Sequence, residues 1–166
     1  MNQVMDEYGA SGKVAWAYRH LPLPSLHPNA AKIAEAAECV AEQAENEGFW
    51  VFSDLIFGER AVNELTDPSK ISGFAEAAGA DVALFEQCLK DGTYSDKIKD
   101  SIAEAVAANG GTQGLGTPFT LVFVGDEYVG PISGAQPFSS VTVNPYVPAI
   151  KPVISSVTSQ VNHSYE

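Results

Sequence analysis

The stretch Gly114-Leu115-Gly116-Thr117-Pro118-Phe119-Thr120-Leu121-Val122-Phe123-Val124-Gly125 carries a Gly-rich loop into a proline and then into an apolar run. Phe119–Val124 is short, rich in aromatic and β-branched residues and bounded by turn residues, which predicts a fully buried strand. Pro118 cannot donate to a ladder, so it belongs at the strand's opening. Only about 5–6% of X-Pro bonds in folded proteins are cis, so spacing alone favours an ordinary trans proline. After Gly125-Asp126-Glu127, Tyr128–Ile132 reads as the hairpin partner, with Pro131 marking it as an edge strand.

Working outward, the 166 residues suit one domain, residues 1–166, able to bury roughly 70% of its unfolded surface. An apolar content of 45% with 18% charged residues fits a globular chain and excludes disorder. A net charge of −12 argues against nucleic acid and anionic membranes, because phosphate binding needs a basic patch. Lys97 and Lys99 are simply spaced along a helix. No apolar run approaches a membrane span, and Met1–Tyr8 has neither the basic nor the apolar region of a secretion signal.

Upstream of the loop, Met1–Ala10 reads as a helix end. Lys13–Leu21 has apolar residues on both alternating sets and predicts a strand buried on both faces, as in a parallel sheet. The prolines of Leu21–Pro28 impose an extended connection. Pro28 then opens a helix to about Glu45, with Ala30, Ile33, Ala34, Ala37, Val40, Ala41 and Ala44 as its apolar stripe. Glu35, Glu38, Glu42 and Glu45 take the wet face, and Cys39 falls on the flank, placed to meet a neighbouring helix. Phe49–Phe57 predicts a short aromatic helix acting as a core wedge.

Asp67-Pro68 is a cap and first-turn proline for a helix ending at Gly79, and Asp81 starts another ending at Gly92. Ser95 or Asp96 caps a last helix that stops at Asn109-Gly110-Gly111. Beyond the hairpin, Ser133–Ser140 is loop, and a final helix is expected near Val153–Val161. The order is strand, helical insertion over about 28–109, strand, strand, helix. This is α/β with a helical subdomain, without the repeated units of a doubly wound nucleotide fold.

The catalytic motifs with distinctive spacing are absent. Gly110-Gly111-Thr112-Gln113-Gly114-Leu115-Gly116 has glycines for a phosphate cradle, but no Lys-Ser/Thr follows and a strand comes next instead of a helix. His20 and His27 flank the proline-rich loop with no third metal ligand nearby, so they read as loop-positioning side chains and no metal site is expected. Asn162-His163-Ser164 formally matches a glycosylation acceptor. Cys39 and Cys88 form no C-x-x-C, and the sequence leaves open a disulfide, two buried thiols or reactive groups.

Taken in order, Gly12-Lys13-Val14, Tyr18-Arg19-His20-Leu21-Pro22-Leu23 and Leu26-His27-Pro28-Asn29-Ala30-Ala31 resemble the DsbA-like branch of the thioredoxin superfamily. The resemblance continues through Ala36-Ala37-Glu38-Cys39, Gln43, Phe49-Trp50, Phe85-Glu86-Gln87-Cys88-Leu89, Gly116-Thr117-Pro118 and Gly134-Ala135-Gln136-Pro137. It implies a thioredoxin-like fold with a helical insertion, and a thiol:disulfide oxidoreductase acting on cysteine-containing polypeptides without metal or organic cofactor. It makes Gly116, Thr117 and Pro118 the substrate-binding cis-proline loop, reversing the trans expectation for Pro118. An extracytoplasmic, for instance periplasmic, location is also implied.

One departure is large. The family's first central strand and its catalytic C-x-x-C correspond to nothing in this sequence, so the chain reads as N-terminally incomplete, with no catalytic residue and little activity as written. By the resemblance, Cys39 and Cys88 match a secondary pair whose bond would be structural, worth roughly 4 kcal/mol for a loop of about 50 residues. The strand edges left by the absent strand invite completion by another chain, including a dimer.

Overall fold

A computed structural model describes Gly9, Gly12 and residues 14–59 and 65–136. The chain divides into two compact units, Arg19–Thr112 and Met1–Tyr18 with Gln113–Glu166.

The first unit is helical. Helix α1 (Ala30–Gly58) is followed by a 3-10 turn at Pro68–Lys70 and by α2 (Ile71–Ala77), α3 (Val82–Asp91) and α4 (Ser95–Asn109). The two helices expected at 28–45 and 49–57 run together as α1. They are separated only by a break at Ala44 and Glu45, where Glu45 has φ 55°. Pro28 lies ahead of the helix and Asn29 occupies the capping position, so the proline closes the incoming turn instead of opening the helix.

The capping residues at the next two starts follow their chemistry. The Asp67 carboxylate accepts from the Ser69 N–H at 2.9 Å, and the Asp81 carboxylate from the Leu84 N–H at 2.9 Å. Gly92 (φ 65°) and Gly110 (φ 74°) end α3 and α4 in the left-handed conformation that glycine adopts without a Cβ penalty. At the start of α4, by contrast, Tyr94 is the flanking residue and no side chain caps the helix; neither Ser95 nor Asp96 does so.

The core gathers Ala36, Ala37, Cys39, Val40, Phe49, Phe52 and Ile56 of α1 with Ile71 and Ala75 of α2 and Phe85 of α3. Phe52 and Phe85 are fully buried with ring centroids 6.4 Å apart; each contributes about 1.5–3 kcal/mol by leaving water. The aromatic wedge is thus built by Phe49 and Phe52, while Phe57 is 59% exposed. The close approach of α1 to the chain after α2 depends on Gly48. A Cβ there would stand 2.3 Å from the Ala44 Cβ and 2.9 Å from the Ala78 carbonyl.

In the second unit, β1 (Phe119–Val124) and β2 (Glu127–Ser133) form an antiparallel hairpin with an irregularity between Val122 and Phe123. β1 has the limits its sequence predicts but not the burial: its side chains are half-buried, and Phe123 is 46% exposed. In a two-stranded ladder each strand is flanked on one side only. The strand expected at 13–21 is not formed among its described residues. Residues 14–20 join no ladder, since the one sheet among the described residues has the order β1-β2. An apolar alternation becomes a strand only where its N–H and C=O groups find a neighbouring strand. The helices expected at 1–10 and 153–161, and Asn162-His163-Ser164, lie outside the described residues.

Candidate functional site

The loop that leads to β1 is shaped by its glycines. After Gly110, the Asn109 amide donates to the Gly111 carbonyl at 2.9 Å, and Gly111 (φ 140°) and Gly114 (φ 74°) both take backbone conformations that side chains oppose. Thr117 and Pro118 are exposed at the strand's head, and the Thr117–Pro118 peptide bond is cis. The Pro118 carbonyl accepts from the Gly134 N–H at 2.9 Å, tying the loop's end to the residue just past β2. A Cβ on Gly116 would meet nothing within 4 Å, so the backbone before Thr117 is open. No charged side chain occurs from Gly110 to Gly125. The loop therefore offers peptide groups and uncharged side chains.

The cysteines lie in the helical unit. Cys39 of α1 and Cys88 of α3 are bonded, S–S 2.01 Å, with their Cα atoms 6.0 Å apart. Cys39 is fully buried and Cys88 half-buried. The Cys88 carbonyl accepts from the Thr93 N–H at 3.3 Å and from its hydroxyl at 3.2 Å. Gln43 bridges two segments, its amide donating to the Cys39 carbonyl at 3.4 Å and its oxygen accepting from the Asp81 N–H at 3.0 Å. With both sulfurs in one bond, neither is a thiolate, the form that attacks disulfides or binds metals.

A third group of side chains escapes the sequence pattern. Glu38, expected on the wet face of α1, is buried. One of its oxygens is 3.0 Å from His20 Nε2 and the other takes a hydrogen bond from Lys97 Nζ at 2.6 Å. The Ser101 hydroxyl of α4 donates to the His20 carbonyl at 2.7 Å, and the His20 ring meets Phe49 edge-on at 6.0 Å. Burial opposes charge on Glu38, but the hydrogen bonds from His20 and Lys97 and the nearby Lys97 ammonium outweigh it and hold the carboxyl below its usual value. Helical periodicity gives no sign of this, because the partners lie 18 and 59 residues away. His20 thus anchors its segment; the His27 ring is half-buried, with Nδ1 out of hydrogen-bond reach of any described partner. No cluster of three or more His, Cys, Asp or Glu suited to a metal ion occurs among the described residues.

Residues 1–133 match a family model described as thioredoxin. The chain is 35% identical over 92 residues to the Na(+)/H(+) antiporter NhaA 3 of Salinispora tropica, covering 55% of this chain and 13% of that protein. It is 28% identical over 136 residues to the Na(+)/H(+) antiporter NhaA 1 of Mycolicibacterium gilvum, covering 82% of this chain and 20% of that protein. The chain thus spans a fifth or less of these curated relatives. No described helix is long and apolar enough to cross a membrane. No solved structure matches. With four-fifths of its length accounted for by that model, the chain belongs to the thioredoxin family.

Proposed function

We propose that this chain is the polypeptide-receiving part of a DsbA-like thiol:disulfide oxidoreductase domain. The helical insertion over about 28–109, which lies within the unit Arg19–Thr112, corresponds to that branch's insertion. Gly116, Thr117 and Pro118 hold an extended, cysteine-containing segment of a protein substrate. The observation that carries this is the uncharged Gly116-Thr117-Pro118 loop, with Thr117 and Pro118 exposed at the head of β1, in a chain of this family. The exchange itself needs a thiolate attacking a disulfide sulfur. Cys39 and Cys88, bonded to each other in the helical unit, serve stability instead, and their bond suits an oxidising compartment. The chain alone therefore turns over neither insulin nor a dithiol peptide. Turnover that disappears in Cys39→Ser or Cys88→Ser would overturn this assignment.

A second reading, a non-catalytic polypeptide-binding or assembly module, draws support from the curated relatives. Their printed name is that of an antiporter, and the matched stretch is a small share of each. Fluorescence polarisation with a matched pair of extended peptides, one with cysteine and one with serine at the same position, separates the two. Tighter binding of the cysteine peptide, weakened by Pro118→Ala, supports the oxidoreductase reading. Equal binding of both supports the module.

A further inference from the structure

We infer, resting on the peptide-receiving reading above, that Gly134 is a positioning residue for the Gly116-Thr117-Pro118 loop. Its N–H sets the Pro118 carbonyl, the backbone of Thr117 follows, and Gln136 braces the peptide group that carries the N–H.

The hairpin register reaches one pair beyond the strands. Phe119 lies opposite Ser133, Thr120 opposite Ile132 and Leu121 opposite Pro131, and the Gly134 N–H meets the Pro118 carbonyl at 2.9 Å. Antiparallel pairs alternate between hydrogen-bonded and non-bonded. Pro131 has no N–H to give, so Leu121–Pro131 is a non-bonded pair and Pro118–Gly134, three places on, is a bonded one. Pro118 cannot return the bond. The pair therefore rests on the Gly134 donor.

The same peptide group is held from its other end. By the alternation the Ser133 carbonyl faces away from β1, and there it accepts from Gln136 Nε2 at 3.0 Å. Because a peptide is planar, fixing the Ser133 C=O also fixes the direction of the Gly134 N–H. Gln136 reaches back this far because Gly134 has φ 73°, in the left-handed region that a Cβ disfavours. With φ relaxed to negative values the chain beyond leaves in another direction, and Gln136 is carried off Ser133. Room is not the constraint: a Cβ on Gly134 would meet Gln136 Nε2 at 4.0 Å, an ordinary contact.

The fastening matters because of what precedes it. Gly114, at φ 74°, and Gly116 give the backbone ahead of Thr117 wide freedom. The tie at Pro118 therefore decides where Thr117 presents its peptide groups. An extended polypeptide is gripped through main-chain hydrogen bonds, whose strength depends on direction. A loop already ordered binds tighter, since less of the ordering cost falls on binding.

Fluorescence polarisation with the cysteine peptide of the matched pair, and amide NMR of the same proteins, read the effect. Gly134→Val and Gly134→Asn both add a side chain, but the branched one opposes left-handed φ while asparagine tolerates it. Expected are about tenfold weaker binding in Gly134→Val, the size of the left-handed penalty, and near wild-type binding in Gly134→Asn. Gln136→Ala gives a smaller loss in the same direction. The Thr117 and Phe119 amide resonances move in Gly134→Val and Gln136→Ala, while those of Phe123 and Tyr128 and the helical circular dichroism stay. Equal losses in Gly134→Val and Gly134→Asn mean that the added side chain blocks the peptide, and overturn the proposal. Where moved Phe123 and Tyr128 resonances show that Gly134→Val has lost the hairpin, Gln136→Ala decides, and unchanged binding with an unmoved Thr117 overturns it. Binding that Pro118→Ala weakens but no change at Gly134 or Gln136 alters overturns the positioning role alone. A wild type that binds neither peptide overturns the reading of the loop as well.

Discussion

Glu38 and His20, 18 residues apart, meet at 3.0 Å with both side chains buried, and the pair holds the incoming segment against α1. Lys97 completes the arrangement from α4, so a single carboxylate is shared by three parts of the helical unit. Removing it by Glu38→Ala takes away the carboxylate that His20 and Lys97 share and costs about 3 kcal/mol in urea unfolding, as expected for breaking a buried ion pair.

The same carboxylate sets an acid limit. Its folded value is lowered from the ordinary 4.5, so its stabilisation is fully present above that value and disappears as pH falls through the lowered one. Thermal melts of the wild type below pH 4.5 therefore fall more steeply than those of Glu38→Gln, which starts lower at neutral pH but has no carboxyl to protonate.

Gly48 is a packing glycine. In Gly48→Ala the new methyl meets the Ala44 Cβ and the Ala78 carbonyl oxygen, the second of which is backbone. The expected loss is about 1–3 kcal/mol, the usual range for overpacking. An unchanged midpoint in denaturant would show that the neighbouring segments separate at no cost.

Reducing the Cys39–Cys88 bond, or replacing both residues with alanine, releases a loop closed across a sequence separation of 49. The chain-entropy model puts the loss at roughly 4 kcal/mol. Comparison of oxidised and reduced protein in urea measures it directly, and a much smaller change would mean that the unfolded chain is already constrained.

Gln43→Ala removes the side chain joining the Cys39 carbonyl to the Asp81 N–H, 38 residues further on. A loss of about 1 kcal/mol is expected for these hydrogen bonds. The effect belongs to the start of α3, where amide exchange at Asp81 should accelerate most.

Much of this was legible locally, and the exceptions share one cause. Asp67, Asp81, Gly92 and Gly110 act within a few residues of themselves, so their types mark the helix ends. The limits of β1 and β2 follow from Pro118 and the Gly125 turn in the same way. Glu38 could not be placed by periodicity, because only distant partners decide whether a carboxylate on a helix flank meets water or a histidine. The apolar alternation of residues 14–20 fails as a strand for a related reason: side-chain pattern selects a face, while a ladder needs a second strand. In the loop, residue types pointed to the open backbone before Thr117, whereas the conformation of the Thr117–Pro118 bond was not set by spacing.

The interruption at Ala44 and Glu45 has a consequence for the size of the helical unit. As an unbroken rod, the 29 residues of α1 would reach about 43 Å, well beyond a domain of roughly 100 residues whose radius of gyration is about 13 Å. Instead Val40 from before the break and Phe52 from after it enter the same core. One irregular joint lets a single element supply two walls of the interior, so the unit needs fewer residues to enclose itself.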